Sequence, residues 1–233
     1  MTKEQWLQRR SEDPYWRMAK ERGLPSRAAF KLEEIQRRWR VMPRGGRVLD
    51  LGAAPGGMTA VAAEAVGEEG LVVAVDVEPL KLERPNIVFI KADVFEHRLV
   101  RELENVLKGG FFDTVISDLS PSHSGDYDLL VQQQSDLLAR SRELAYRFLR
   151  RGGNMVLKAF EHPTLRTFER ETATSFRKLE RYVPKSSKKG SSEIFLIYLG
   201  YKGGVQQGLP VNIQNTCMPE KLTAVNTAST FRA

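Results

Sequence analysis

The segment Val48-Leu49-Asp50-Leu51-Gly52-Ala53-Ala54-Pro55-Gly56-Gly57 decides the fold of this 233-residue chain. Its pattern predicts a strand, a tight turn and the start of a helix, and its glycines would let a ligand approach the backbone closely. The spacing matches neither G-x-G-x-x-G nor a P-loop, which requires Gly-Lys-Ser or Gly-Lys-Thr. Pro55 also lacks the amide hydrogen that a phosphate cradle would use. A plain strand-to-helix turn is the alternative to a ligand loop here.

Short runs rich in Val and Ile alternate with longer helical patterns after this segment. The predicted strands span 47–51, 71–76, 86–91, 112–118, 153–158, 178–183 and 193–200, and the predicted helices lie near 57–66, 95–107, 128–150 and 163–175. This alternation predicts an α/β, Rossmann-like fold, with a seven-stranded, mostly parallel sheet and helices on both faces. Because the loop from Lys185 to Ser192 is too short for a parallel crossover, we expect the last strand to run antiparallel.

The region before residue 46 has a helical pattern of its own. Residues 2–22 favour a helix that Asp13-Pro14 interrupts or restarts, and Ser26 is expected to be the N-cap of a helix from Arg27 to Trp39. Residues 203–233 mix Gly, Pro, Asn and Thr without periodicity. We therefore expect three parts: a basic helical extension over 1–45, a main α/β domain over 46–202 and a tail over 203–233.

The net charge of +7 is unevenly placed. Residues 1–47 hold thirteen Lys or Arg against six Asp or Glu, and the remaining residues balance. A second basic cluster lies in the segment from Arg177 to Lys189. Concentrated positive charge favours a polyanionic partner such as RNA. A solvated basic surface without a partner is the alternative.

Cys217 is the single cysteine, which excludes a disulfide scaffold and any Cys-based zinc site, and we expect no metal. Apolar stretches are far shorter than the roughly 18 residues of a membrane span, and the N-terminus lacks a signal-peptide pattern. A cytoplasmic location without membrane contact is therefore expected.

Two acids follow consecutive predicted strands, where open α/β sheets bind ligands. Asp76 ends the strand after the glycine loop and could accept both hydroxyls of a ribose, whereas Asp93 could contact an adenine edge. Either acid alone could equally be a helix cap or a solvated loop residue. Together with the loop, they favour a nucleoside ligand without a pyrophosphate. S-adenosylmethionine (SAM) fits, since its sulfonium cation suits a site lined by carboxylates.

Three further polar residues are predicted at the same sheet edge. Asp118 and Lys158 each end a parallel strand, and Glu193 opens the antiparallel one. The start of an antiparallel strand lies beside the ends of its parallel neighbours. For Lys158 alone, a surface amine with a buried stem is an equal alternative.

These segments resemble the FtsJ/RrmJ-like ribose 2′-O-methyltransferases between about residues 12 and 201. The matching segments are Asp13-Pro14-Tyr15, Ser26-Arg27-Ala28-Ala29-Phe30-Lys31-Leu32, Leu49 to Gly57, Ser117-Asp118-Leu119-Ser120-Pro121, Val156-Leu157-Lys158 and Ser192-Glu193. The ordered Lys–Asp–Lys–Glu series is the specific part of the match. The resemblance implies the SAM-dependent methyltransferase version of the Rossmann-like fold.

The resemblance also implies roles for individual residues. The catalytic tetrad would be Lys31, Asp118, Lys158 and Glu193. The SAM site would be lined by Gly52, Pro55, Gly56, Gly57, Met58, Asp76, Asp93 and Asp118. Met58 stands where the bacterial members carry Trp. The resemblance assigns Lys158 as the base for the ribose hydroxyl, and a charged Lys158 that stabilises the developing alkoxide is the alternative.

The implied reaction is methylation of a uridine 2′-oxygen in large-subunit rRNA, free or in a preribosomal particle, by a monomeric enzyme. Methylation of a tRNA anticodon loop is the second reading. A non-catalytic RNA-binding assembly factor is the third, and the intact tetrad disfavours it. The missing G-x-G-x-x-G disfavours an NAD-dependent oxidoreductase.

Overall fold

A computed structural model of the chain describes residues 13–121, 126–187 and 190–203. The strands are β1 (Arg47–Leu51), β2 (Leu71–Asp76), β3 (Ile87–Lys91), β4 (Phe112–Ser117), β5 (Leu149–Phe160), β6 (Phe176–Tyr182) and β7 (Glu193–Tyr201). The helices are α1 (Pro14–Glu21), α2 (Ala28–Trp39), α3 (Gly57–Val66), α4 (His97–Leu107), α5 (Tyr127–Phe148) and α6 (Leu165–Ala173). The alternation of strands and helices after residue 46 is therefore as predicted.

The seven strands form one sheet in the order β3-β2-β1-β4-β5-β7-β6. The pairs among β3, β2, β1, β4 and β5 are parallel, whereas β7 runs antiparallel to both β5 and β6. This confirms the mostly parallel sheet and its antiparallel last strand. Because β7 lies between β5 and β6, its first residue sits beside the carboxyl end of β5, where Glu193 pairs with Phe160.

Alternate residues of each strand face opposite sides of the sheet, so both faces carry a core. On one face Leu49 and Leu51 pack with α4, α5 and α6. On the other face Val48 packs with α2 and α3, through residues such as Leu32 and Met58. Helices therefore cover both faces, and α2 belongs to the core that supports β1.

The start of α2 corrects one prediction. Ser26 is not the N-cap: the helix begins at Ala28, and no side chain caps it. The Ser26 hydroxyl instead packs against the start of α3, 2.1 Å from where a Cβ on Gly57 would lie. The helix start predicted at Asp13-Pro14 is confirmed. Helix α1 begins at Pro14, and the Asp13 carboxylate accepts hydrogen bonds from the Tyr15 and Trp16 amides. The part of the predicted first helix before Asp13 lies outside the described residues.

Strand β5 is longer than predicted. It begins at Leu149 rather than residue 153 and ends at Phe160 rather than residue 158, so Lys158 lies two residues before the end of the strand. Its register against β4 shifts between Phe112 and Thr114. Residues 149 and 150 were predicted as the end of the preceding helix, and Arg151 and Gly152 have the composition of a turn, so the irregular first part of the strand was missed. Within the described residues, no helix combines the length and apolar character that crossing a membrane requires.

Candidate active site

The glycine loop after β1 is fixed by the end of the neighbouring strand β2. The Gly52 amide donates to the Val75 carbonyl over 3.0 Å, and the Ala54 amide donates to Asp76 Oδ2 over 2.8 Å. Gly52 has a φ of 75°, and a Cβ there would lie 2.9 Å from the Leu119 amide nitrogen. Glycine is therefore required at this position both for its backbone angle and for its lack of a side chain.

Two cavities open along the sheet edge that carries this loop. The larger, about 720 Å³, is lined by Asp76 and Asp93 and by Ser120 beyond β4. The smaller, about 230 Å³, is lined by six further predicted residues, Lys31, Gly52, Pro55, Gly57, Met58 and Asp118. The predicted residues Gly56, Lys158 and Glu193 line neither cavity. Asp118 and Ser120 are two positions apart, so the cavities are neighbours along the same sheet edge. This arrangement suits an elongated ligand whose nucleoside end lies against Asp76 and Asp93.

Lys158 is 6% exposed and is surrounded by oxygen atoms of the β4–α5 loop. Its Nζ lies 3.0 Å from Asp118 Oδ1 and donates to the Asp118 carbonyl and to Ser120 Oγ, each over 2.5 Å. An ammonium has three hydrogens, and three oxygens surround it here. The sequence predicted that Lys158 and Asp118 lie at one sheet edge but gave no signal for Ser120 as a partner of Lys158.

Lys31 and Glu193 form the second pair of the site. Lys31 Nζ donates to Glu193 Oε2 over 2.7 Å, and Ser187 Oγ donates to Glu193 Oε1 over 2.8 Å. Burial would raise the pKa of Glu193, but the charge and hydrogen bond of Lys31, the Ser187 hydroxyl and the charge of Lys158 together hold it below its usual value. The four predicted tetrad residues are thus brought together as two ion pairs, and the smaller cavity is lined by one member of each.

The sequence matches the profile of the FtsJ-like methyltransferases over residues 24–201. The chain belongs to the FtsJ-like methyltransferase family. Two relatives, both called ribosomal RNA large subunit methyltransferase E, support this. The one from Methanothermobacter thermautotrophicus is 40% identical over 203 residues, 85% of this chain and 94% of the relative. The one from Coxiella burnetii is 34% identical and covers 84% of this chain and 95% of its own length.

The predicted family resemblance is therefore confirmed, and the chain is a methyltransferase. Among solved structures, a protein from Plasmodium falciparum described as a ribosomal RNA methyltransferase superposes with a TM-score of 0.69. It is 20% identical and covers 77% of this chain and all of its own. At that identity the likeness shows the shared fold alone.

This FtsJ-like chain also has a buried acid that the sequence did not single out. Asp50 is fully buried, and its Oδ2 accepts the Thr59 hydroxyl over 2.7 Å, whereas Oδ1 has no hydrogen-bond partner among the described residues. Burial raises the pKa of Asp50 to about 7, and the negative charges of Asp118 and Asp76 add to the rise, against the Thr59 hydrogen bond. A buried carboxyl with an unsatisfied oxygen, close enough to Asp118 and Asp76 for their charges to raise its pKa, suits a nearby cationic ligand.

Asp93 lies on the rim of the larger cavity. Its Oδ1 accepts the Phe95 amide over 2.9 Å, so the side chain shapes the turn that follows β3. The same cavity is flanked by Val77 and Phe95, both about half exposed. Exposed apolar side chains on either side of a cleft suit a flat ring such as adenine. Within the described residues, no cluster of His, Cys, Asp or Glu has the makeup of a metal site.

Proposed function

We propose that this methyltransferase transfers a methyl group from SAM to a ribose 2′-oxygen of RNA, with a uridine of large-subunit rRNA as the target. The observation that carries the proposal is the pairing of Lys158 with Asp118 beside the glycine loop. That pair places an ammonium next to the cavity where a cationic methyl donor and a hydroxyl acceptor would meet. The names of the relatives support large-subunit rRNA as the substrate.

The residues present fit SAM. The loop from Gly52 to Met58 would receive its methionine part, Asp76 its ribose and Asp93 its adenine, and Asp118 would lie near the cation. The unsatisfied oxygen of Asp50 adds to this fit, because a positive ligand would favour its ionised form. When bound, SAM supplies an electrophilic methyl group on a sulfonium. Calorimetry with SAM and with NAD tests this part, since binding of NAD alone would contradict it.

Lys158 would act on the ribose hydroxyl in one of two ways. Acting as a base, it must first lose a proton to solvent, and the lone pair of the neutral amine then takes the ribose proton. The neutral amine has only two hydrogens to donate, so one of its three oxygen contacts is given up. Acting as a cation, it keeps its charge, orients the 2′-oxygen and stabilises the developing negative charge. Lys158→Arg distinguishes the two, because guanidinium keeps the charge but does not serve as a base. Residual turnover well above that of Lys158→Ala would favour the cationic role.

Lys31 and Glu193 would hold the acceptor strand on the other side of the cavity. An ion pair so close to the acceptor can bind a ribose or phosphate group and keep it aligned with the methyl donor. Exposed basic residues of α1 and of the segment from Arg177 would contact flanking phosphates. An rRNA substrate, free or in a preribosomal particle, also favours a cytoplasmic location.

Mapping of 2′-O-methyl nucleotides in cells with and without the protein tests the proposed substrate. The proposal expects one large-subunit rRNA position to lose its methyl group. Loss confined to a tRNA anticodon loop would instead support the second reading, and no change in either RNA would favour the non-catalytic one.

A further inference from the structure

Helix α2, which carries Lys31, also forms hydrogen bonds with the end of β6 and the connection between β6 and β7. Three residues lie along one face of helix α2 and its N-cap: Arg27, Lys31 and Glu34. They are four and three positions apart, which is the spacing of neighbours on a helix surface. Each contacts residues at or beyond the end of β6. We call residues 183–192 the β6–β7 loop; of these, 183–187 and 190–192 are described.

Glu34 accepts four hydrogen bonds from this connection. The donors are Tyr182 Oη at 2.8 Å, the Lys185 amide at 2.9 Å, and the amide and hydroxyl of Ser186 at 3.1 and 2.7 Å. An ionised carboxylate offers about four acceptor sites, so the geometry uses its full capacity. Ser186 is fully buried as a result.

The contact continues from Glu34 into the active site. Ser186 is followed by Ser187, whose hydroxyl donates to Glu193 Oε1, and the other oxygen of Glu193 accepts from Lys31. Glu34 and Lys31 are one helical turn apart, so these contacts close a ring between α2 and β7. Arg27 supports the ring from outside by donating to the Ser186 carbonyl over 2.8 Å.

We infer that Glu34 is a positioning residue for methyl transfer: it holds the β6–β7 loop on α2, so that Ser187 orients Glu193 and, through it, Lys31. The inference rests on the proposed function. Glu34 touches neither substrate in this scheme and acts through Ser187. Burial would raise the pKa of Glu34, but its four hydrogen-bond donors hold that pKa below its usual value. The carboxylate is therefore ionised at neutral pH and can accept all four hydrogen bonds.

Glu33 provides a matched control on the same helix. It pairs with Arg22 at 2.5 Å in a largely exposed ion pair and makes no hydrogen bond or ion pair to the described residues of the loop. Glu33→Gln and Glu34→Gln remove the same charge from adjacent positions. Only Glu34→Gln turns an amide NH₂ toward the loop donors, so only it should release Ser186.

The experiment measures methyl transfer to large-subunit ribosomal particles from cells lacking the protein, with SAM affinity measured beside it. We expect Glu34→Gln and Ser187→Ala each to lower kcat by about tenfold, with SAM affinity unchanged. The kcat of the double variant should lie no more than about threefold below that of the less active single variant. Glu34 and Ser187 both act through Glu193, so their effects should not multiply. Glu33→Gln should resemble wild type.

Three outcomes would overturn the inference. One is equal turnover in Glu34→Gln and Glu33→Gln, and another is a double variant with fully multiplied losses, which would indicate independent structural effects. The third outcome applies if Glu34→Gln does not fold. In that case Ser187→Ala alone is the test, and unchanged turnover in that variant would overturn the inference. Wild-type protein without any transfer to RNA would instead refute the proposed function, and the inference with it.

Discussion

The side-chain nitrogen of Lys31 and the Oε2 of Glu193 lie 2.7 Å apart and join helix α2 to the first residue of β7. Both side chains are about nine-tenths buried. The ion pair therefore ties the N-terminal region to the antiparallel strand directly beside the candidate active site.

Loss of Glu193 should destabilise the protein, because Lys31 would keep a largely buried charge without a partner. We expect Glu193→Gln to lower the free energy of unfolding by about 3 kcal/mol at pH 7. Since the folded pKa of Glu193 is lowered from 4.5, this contribution is complete above about pH 4.5 and disappears as the pH falls through the lowered value. Urea unfolding between pH 3 and 8 measures it. Glu33→Gln is the control, and its exposed pair should change stability by less than about 1 kcal/mol.

Gly52→Ala should abolish most SAM binding, whereas Gly109→Ala should not. Both glycines have a positive φ, 75° and 83°, so alanine costs roughly 1 kcal/mol of backbone strain in each. Only at Gly52 would the new Cβ meet a backbone atom, the Leu119 nitrogen at 2.9 Å, while Gly109 has open space. Calorimetric titration with SAM should show at least a tenfold loss for Gly52→Ala alone. Equal affinities in the two variants would argue against the glycine loop as the cofactor site.

Asp50 should make the protein less stable as the pH rises. Its unfolded pKa is 3.8 and its folded pKa about 7, so the folded state binds a proton more tightly, and this residue weakens stability progressively between about pH 4 and 7. In Asp50→Asn that pH dependence is removed. The stability of the variant relative to wild type should therefore increase across this range in chemical denaturation. A constant difference from pH 4 to 8 would show that Asp50 is not held neutral.

RNA affinity should depend on the exposed basic residues of α1. Arg17→Ala with Lys20→Ala should flatten the slope of log affinity against log salt by about 1.4 for a single strand, or 1.8 for a duplex, since two phosphate contacts are lost. Arg101→Ala with Arg170→Ala, exposed on helices of the other sheet face, should leave the slope unchanged. Fluorescence anisotropy over a salt series measures both. An unchanged slope in the α1 variant would move the RNA path to the cluster from Arg177 to Lys189.

Arg27 differs from these residues although the same charge argument included it. Its guanidinium pairs with Asp13 and donates to the Ser186 carbonyl, so it is bound within the protein. Arg9 and Arg10, two further basic residues of the segment 1–47, lie outside the described residues. Charge counting along the sequence therefore located a basic region but did not distinguish arginines that face solvent from one that holds two segments together.

The sheet and its site edge were predictable because they depend on local patterns. Runs of Val and Ile located the strands, and the polar residue at each strand end then had to lie at one edge. Long-range contacts were not predictable in the same way. Ser120 on Lys158, Ser187 on Glu193 and the four bonds to Glu34 depend on loop conformations that have no periodic signal.

Asp50 and Ser26 show the same limit for residues inside a predicted motif. Asp50 was part of the quoted strand, but its raised pKa follows from burial beneath α3, which the sequence pattern does not contain. Ser26 has the composition of an N-cap and precedes a helix. The close packing of its hydroxyl on Gly57 takes precedence, because only glycine at that position leaves room for it.

The most direct test is transfer of isotope-labelled methyl from SAM to large-subunit ribosomal particles, followed by nucleoside analysis, for wild type and Lys158→Ala. We predict label on a ribose 2′-oxygen with wild type, and at least about a hundredfold slower transfer with Lys158→Ala. SAM affinity should agree within about twofold, because the proposed scheme places Lys158 toward the acceptor rather than the adenosine. Near wild-type turnover in Lys158→Ala, or label on a base instead of the ribose, would contradict the account.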